Sequence, residues 1–344
     1  MPLTITVQPS GRNFSVERDG TLLAAAIAQG IALPYGCKDG ACGSCKSRLL
    51  EGRVVHGAHQ SKALSEAEEA AGFILTCCAS AQTDCVIEAR GVPAEGVHPV
   101  LKMPVRVQQL TRAAPDVLVL RLQLPATQNF QYHAGQYLEF ILRDGSRRAY
   151  SMANAPGDLG ASSQPFVDLH IRHMPGGKFT DHAFSQLKER DILRAEGPFG
   201  SFFLREGQEP LVLLASGTGF APIKALIEQL ERQGNQRPAT LYWGGRRPAD
   251  LYLDAWVREA CARLPWLRYV PVVSDAQPED AWAGRVGFVH LAVLEDLPSL
   301  AGHAVYACGA PIVVESAQRD FVQLGGLDPE RFFADAFTSE ADKH

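Results

Sequence analysis

Cys37, Cys42 and Cys45, with Cys77 much further along, constrain this chain more than any other feature. The spacing C-x4-C-x2-C followed by a distant fourth cysteine is the one in which four thiolates hold the two irons of a [2Fe–2S] cluster. Gly40, Ala41, Gly43 and Ser44 between them are small. A tight loop around a compact cluster must aim backbone N–H groups at sulfur, and glycine supplies the close approach and the positive φ angles. The alternatives are a zinc site or a disulfide pair; zinc loops usually carry C-x2-C knuckles in two pairs, which this chain lacks. Cys78, next to Cys77, leaves open which of the two is the fourth ligand.

Eight cysteines with four in this pattern point to a reducing compartment rather than a disulfide scaffold, and the cytoplasm is the expected location. Cys78, Cys85 and Cys261 are expected to be buried thiols packed as small hydrophobes. The 344 residues leave room for two or three domains. A formal charge of −5 argues against a nucleic-acid or anionic-membrane partner. No run approaches the ~18 apolar residues of a membrane span, and Met1–Thr6 lacks the basic region of a signal peptide.

Residues 3–8 alternate Leu3, Ile5 and Val7 with polar neighbours, which predicts a strand; Pro9-Ser10-Gly11 and then Phe14 and Val16 complete a hairpin. Thr21–Gln29 reads as a short helix stopped by Gly30. Ser65 and Glu68 form a capping box that starts a second helix ending near Gly72. Phe73-Ile74-Leu75 then delivers Cys77, and Val86-Ile87 supplies a closing strand. This order predicts a small β-grasp domain over residues 1–93, followed by a Gly- and Pro-rich linker from Gly91 to Pro99. Two alternating runs from Val105 to Leu124, then Tyr137–Leu142, Ala149–Met152 and Val167–Arg172, predict a small antiparallel barrel over 100–205. From about Pro210 buried strands (Leu211–Leu214, Ala239–Trp243, Tyr269–Val273, Val305–Tyr306) alternate with helical stretches (Pro222–Gln233, Leu251–Arg263). That texture predicts a parallel sheet with helices on both faces over 206–344.

Three stretches of the middle domain carry chemistry. In Arg148-Ala149-Tyr150-Ser151-Met152 an arginine can fork onto phosphate, a tyrosine can lie on a flat ring and a serine can reach a ring nitrogen. His170-Ile171-Arg172 follows, and Gly176-Gly177-Lys178-Phe179-Thr180 offers backbone N–H groups and a hydroxyl to a pyrophosphate. A structural strand and a plain surface turn are the competing explanations. In the last domain, Gly217-Thr218-Gly219 and Pro222 follow a buried strand and open a helix, where a pyrophosphate can sit close to the helix start. Arg246 and Arg247, at the end of the next strand, permit a 2′-phosphate without requiring one. Cys308-Gly309-Ala310-Pro311 is a turn after a strand, and Phe337 lies near the C-terminus; each could equally be core.

Together these residues resemble the ferredoxin–NADP reductase superfamily, with a plant-type ferredoxin placed first. The match is to one-piece reductases of the benzoate or terephthalate dioxygenase, phenol hydroxylase and CDP-6-deoxy-glucoseen types. The resemblance implies a six-stranded antiparallel β-barrel for FAD and an α/β parallel-sheet domain for NADH or NADPH. It implies FAD rather than FMN, because the superfamily's FMN-using oxygenase reductases carry their ferredoxin last. It further implies cluster ligands Cys37, Cys42, Cys45 and Cys77, with Ser151 near flavin N5, Cys308 lining the nicotinamide side and Phe337 near the flavin face.

The implied activity is electron transfer from NAD(P)H through FAD to the cluster, and on to a partner oxygenase docking near the ferredoxin domain. Service to a deoxysugar dehydrase, or reduction of free flavin or ferric iron, is the enzymatic alternative. A redox sensor or accessory subunit without turnover is the alternative of another class. It should show a degraded C-G-x-P turn or R-x-Y-S stretch, and both are intact here.

Overall fold

The computed structural model describes residues 2–89, 92, 98–157 and 165–338, which fall into two compact units. The first holds the chain up to Pro99 with Gly200–Phe202 and the residues from Asp335; the second holds Val100–Phe199 and Phe203–Ala334. Most of the linker expected at Gly91–Pro99 lies outside the described residues.

In the first unit, β1 (Leu3–Gln8) and β2 (Arg12–Val16) form the expected antiparallel hairpin and bury Ile5, Val7, Phe14 and Val16. Helix α1 (Leu22–Ala28) starts where the Thr21 hydroxyl accepts from the Ala24 N–H and stops before Gly30, whose φ of +72° suits only glycine well. β3 (Lys46–Glu51), β4 (Val54–His56), α2 (Glu66–Ala70), β5 (Phe73–Leu75), β6 (Ala79–Ala81) and β7 (Cys85–Glu88) follow. The main sheet runs β2-β1-β7-β3-β5, with β1 and β7 parallel, while β4 and β6 pair separately. β3 escapes pattern reading because its only buried residue is Ser47. The capping box of α2 is present: Glu68 N–H donates to Ser65 Oγ at 3.3 Å and Ser65 N–H to Glu68 Oε2 at 2.9 Å.

The second unit contains two six-stranded sheets. β8 (Leu101–Ala114), β9 (Val117–Gln123), β10 (Tyr137–Ile141), β11 (Arg147–Ser151), β12 (Phe166–Arg172) and β13 (Ile192–Phe199) pair antiparallel in the order β11-β10-β13-β8-β9-β12. A single antiparallel bridge, Met152 to Leu169, joins the two outer edges. Val105, Leu120, Leu122, Leu138, Phe140 and Met152 fill its core, with Phe179 from α3 (Lys178–Ser185). β13 carries Arg194, Glu196, Gly197 and Pro198, which hide its period.

The other sheet contains β14 (Leu211–Ser216), β15 (Ala239–Gly245), β16 (Leu267–Val273), β17 (Arg285–Val286), β18 (Ala304–Gly309) and β19 (Phe332–Ala336), in the order β17-β16-β15-β14-β18-β19. From β17 to β18 it is parallel. Helices α4 (Phe220–Arg232), α5 (Asp254–Arg263), α6 (Val289–Asp296) and α7 (Pro311–Gln323) connect its strands. β14 lies between β15, the next strand in sequence, and β18, so the chain switches sides at β14. In open α/β sheets the crevice beyond such a switch point receives ligands.

Polar contacts tie the two sheets together. His170 Nδ1 on β12 is 2.7 Å from the Tyr252 hydroxyl, and Arg172 donates to Asp250 at 3.0 Å. Lys224 on α4 donates to the Ala153 carbonyl at 3.0 Å, and Glu228 accepts from Ala155 N–H at 2.9 Å. His170 is 5% exposed, and burial, with the Lys224 charge adding to it, lowers its pKa to about 3.

Two outcomes follow from these packing relations. Ser65→Ala should cost about 1 kcal/mol of stability, read as a lower denaturation midpoint; an unchanged midpoint means the cap does not hold α2. The neutral His170 resists a proton that the unfolded chain accepts near its ordinary pKa of 6.5. Its contribution to stability is therefore full above that pH and lost as pH falls toward 3, at up to about 1.4 kcal/mol per unit. His170→Gln removes this loss, so the stability difference between the two proteins should change steadily below pH 6.5; parallel curves contradict the assignment.

Candidate functional site

The cysteine site is built by strand register. Cys45 immediately precedes β3, Cys77 follows β5, and Lys46 pairs with Leu75, so the Cys45 and Cys77 Sγ atoms come to 3.2 Å. Cys37 and Cys42 form a second pair, in which the Cys37 N–H donates to Cys42 Sγ at 3.4 Å. Lys38, Gly40 and Gly43 have φ of 68°, 76° and 73°, which turns the loop back on itself. A Cβ at Gly40 would stand 2.8 Å from both Cys78 Sγ and His59 Cβ, so no side chain fits there. Donation from the Cys37 thiol, helped by Ser44, lowers Cys42 to about 6 against the effect of burial. The hydrogen bond with Cys77 lowers Cys45 against the effect of burial. Among the described residues no three His, Cys, Asp or Glu side chains converge as a single ion requires; the thiols come in two pairs. Two soft donors at each of two positions, in a cradle closed by glycine, fit two irons. Of the remaining cysteines, Cys78 and Cys85 are buried as expected, whereas Cys261 is only half-buried.

β11 positions the R-x-Y-S stretch through its pairing with β10, Ser151 opposite Tyr137 and Arg148 opposite Phe140. Ser151 and Met152 are buried, and Arg148 and Tyr150 are half-buried. The Tyr150 ring packs against Phe140 and Phe179 at 5.8 and 5.4 Å. Gly177 caps α3, and a Cβ there would stand 2.8 Å from the Met174 carbonyl. Four of the expected polar groups are already engaged, contrary to the sequence expectation: Gly176 N–H donates to Asp181 Oδ2 at 3.0 Å and Gly177 N–H to Met174 O at 2.8 Å, closing the turn on itself. The Thr180 hydroxyl donates to Met174 O at 2.8 Å and accepts from Met174 N–H at 3.2 Å, and Lys178 pairs with Asp144 at 2.6 Å. Ile171 is core. The His170 side chain turns to Tyr252, on the wall of a 520 Å³ cavity also lined by Lys224 and Trp256.

The nucleotide-type turns meet at the switch point. Gly217 has φ +52° and Gly309 φ +132°. A Cβ on Gly219 would overlap the Cys308 carbonyl, and one on Gly309 would lie 2.7 Å from Ser216 Oγ; the two turns can touch only because both are glycine. Trp243 Nε1 donates to Gly217 O at 3.0 Å, and its indole stacks on Phe220 at 4.0 Å. Pro222 lies in the first turn of α4, where a missing N–H costs nothing. Cys308 is fully buried and in register with Ala215. Phe337 follows β19, is half-buried and belongs to the first unit.

The charged residues divide differently from their sequence pattern. Arg172 faces the glycine turn: a Cβ on Gly217 would lie 3.4 Å from its Nη1, and Asp116 and Asp250 flank it at 3.2 and 3.0 Å. Arg247 is held by Asp280 at 2.8 Å and Glu279 at 3.3 Å. The Arg246 side chain is 82% exposed and only 3.4 Å from Asp275, so it is the more available cation. Sequence patterns gave no sign of Asp250, which accepts from both Arg246 N–H and Arg247 N–H. The Lys224–Glu228 pair was equally hidden, since its i,i+4 spacing reads as a solvated helix face.

A 2Fe-2S iron-sulfur cluster binding domain matches residues 5–82, an oxidoreductase FAD-binding domain 104–204 and an oxidoreductase NAD-binding domain 213–319. CDP-6-deoxy-L-threo-D-glycero-4-hexulose-3-dehydrase reductase of Yersinia pseudotuberculosis is 40% identical over 337 residues, 98% of this chain and 99% of the relative. Terephthalate 1,2-dioxygenase reductase component 1 of Comamonas sp is 37% identical over 346 residues, 99% of each. The crystal structure of the Amycolatopsis cytochrome P450 reductase GcoB superposes with a TM-score of 0.79 at 33% identity, covering 98% of this chain and 99% of that one. The chain is an oxidoreductase whose cofactors are a [2Fe–2S] cluster, FAD and NAD(P)H. It belongs to the ferredoxin–NADP reductase superfamily, among the one-piece reductases that begin with a [2Fe–2S] ferredoxin domain.

Proposed function

We propose that this protein is the reductase component of an aromatic-ring dioxygenase or monooxygenase system, carrying electrons from NAD(P)H to a terminal oxygenase. The observation that carries this reading is end-to-end likeness to reductase components of terephthalate dioxygenase and phenol hydroxylase. Service to a deoxysugar dehydrase is the second reading, favoured by the likeness to the Yersinia reductase. The domains are assigned as 1–93, 100–205 and 206–344, with the antiparallel sheet closing as the FAD barrel. Among the described residues no helix is long and apolar enough to cross a membrane, and we place the protein in the cytoplasm. The partner docks near the ferredoxin domain, where Cys37 and Cys42 are the half-buried members of the four-cysteine set.

A bound flavin would supply the exchange between a two-electron nicotinamide and a one-electron [2Fe–2S] cluster, and a cluster potential of about −400 mV would suit onward donation. The residues supply position and charge. Cys37, Cys42, Cys45 and Cys77 hold the cluster. Arg148 takes flavin phosphate, Tyr150 packs on the flavin, and the Ser151 hydroxyl donates to the ring edge near N5. Gly176 and Gly177 let the backbone of their turn approach the flavin phosphate closely, their N–H groups being spent on Asp181 and Met174, with Lys178 beside them; Phe179 and Thr180 hold that turn in shape. His170, Ile171 and Met152 fix the strands beneath it. Gly217, Thr218, Gly219 and Pro222 receive the nucleotide pyrophosphate, with Arg172 and Arg246 as nearby cations and Arg247 braced by Asp280. Cys308, Gly309 and Pro311 back the nicotinamide side, and Phe337 is the aromatic assigned to the flavin.

Cys42→Ser should abolish reduction of cytochrome c while sparing ferricyanide reduction at the flavin; an equal fall in both contradicts the electron order. Ser151→Ala should slow flavin reduction by NAD(P)H in stopped flow by roughly 10²-fold, the loss typical of one preorganised donor. Unchanged hydride-transfer kinetics remove Ser151 from that role.

A further inference from the structure

Cys78 has no part in the four-ligand set, yet the fold directs it at the same place. Successive side chains on a strand point to opposite faces. Here the chain turns instead, with Cys78 N–H donating to Leu75 O at 3.0 Å, and the Cys77 and Cys78 Sγ atoms come to 3.6 Å. Cys78 also packs against the cysteine loop, since Gly40 must lack a side chain to clear its sulfur. Its backbone is pinned: Gly57 N–H donates to its carbonyl at 2.8 Å, and β6 begins at the next residue. Cys85 differs, because its thiol donates to the Thr83 carbonyl at 3.2 Å; Cys261 lies on α5 in the other unit.

We infer that Cys78 is a reserve ligand, a fifth thiol placed to take over the iron position of Cys77 when that bond opens. This rests on the ligand assignment proposed above. The exchange is balanced without any electron transfer: the iron–sulfur bond to Cys77 breaks, the bond to Cys78 forms, and the Cys78 proton passes to the released Cys77 thiolate. Donor type and total charge are unchanged, so the cluster survives the swap.

The test compares Cys77→Ala, Cys77→Ser, Cys78→Ser and the double variant Cys77→Ala/Cys78→Ser. Each is purified anaerobically and assayed for iron, acid-labile sulfide and the EPR spectrum of the reduced cluster. Hydrogen exchange of β1 and β7 monitors the fold. Cys77→Ala should keep its iron and sulfide to within about twofold, with altered g values, while the double variant loses at least about tenfold. Cys78→Ser should keep the wild-type spectrum but lose iron to a chelator several-fold faster than wild type, a measurement that leaves Cys77 in place. A Cys77→Ala or Cys77→Ser protein as empty as the double variant, with native exchange, overturns the proposal, as does an unchanged chelation rate in Cys78→Ser. Loss of the cluster in Cys78→Ser alone, with Cys77→Ala unaffected, would show instead that the ligand assignment itself is wrong.

Discussion

The register between β3 and β5 brings together two of the four cysteines proposed to hold the cluster. Pairing Lys46 with Leu75 sets Cys45 and Cys77 side by side although they are far apart in sequence. A slip of one residue would turn the β3 and β5 side chains to the opposite face and part the two thiols. The register is held from both ends. Lys46 reaches Glu68 at 2.6 Å, and Glu68 is the residue that closes the α2 capping box. The Thr76 hydroxyl donates to the Cys45 carbonyl at 3.3 Å, bracing the turn that presents Cys77. The loop glycines then bring Cys37 and Cys42 back over the pair.

The second unit solves a similar problem with a different device. Its two glycine turns must touch, and they do so because Gly219 and Gly309 leave no Cβ between the backbones. Trp243 fixes the first turn through Gly217, and Ser216 Oγ fixes the second by accepting from Ala310 N–H at 3.1 Å. The polar ties from β12 and α4 join this crevice to the strand that carries Ser151. Lys224 and Glu228 hold the backbone at Ala153 and Ala155, just beyond that serine. A hydride donor and its acceptor must be held in register to fractions of an ångström, and these ties are what hold the two sheets of this unit in one arrangement.

Much of this was legible in the sequence wherever a residue has few ways to act. The cysteine spacing, the Ser65–Glu68 box, the Thr21 cap and the buried run Leu211–Leu214 each carry their meaning locally. β13 and β3 were not legible, because Arg194, Glu196, Gly197 and Pro198 break the pattern of one, and the only residue buried on the other is Ser47. Side-chain direction was the harder matter. Arg172 sits in a stretch that resembles a flavin site, yet its guanidinium lies against Gly217, drawn there by Asp116 and Asp250. Thr180 looks like a phosphate ligand in sequence, yet its hydroxyl closes the turn of Met174. Such partners are remote in sequence or depend on a turn's exact path, so no local pattern announces them.

The central claim is that one chain carries electrons from a nicotinamide to an iron–sulfur cluster. Anaerobic titration of the purified holoprotein with NADH and then NADPH, followed by visible absorption, tests it most directly. The account predicts that at least one nucleotide bleaches both the flavin band and the iron–sulfur band of the same protein. A spectrum that contains both cofactors and is bleached by neither nucleotide would contradict it.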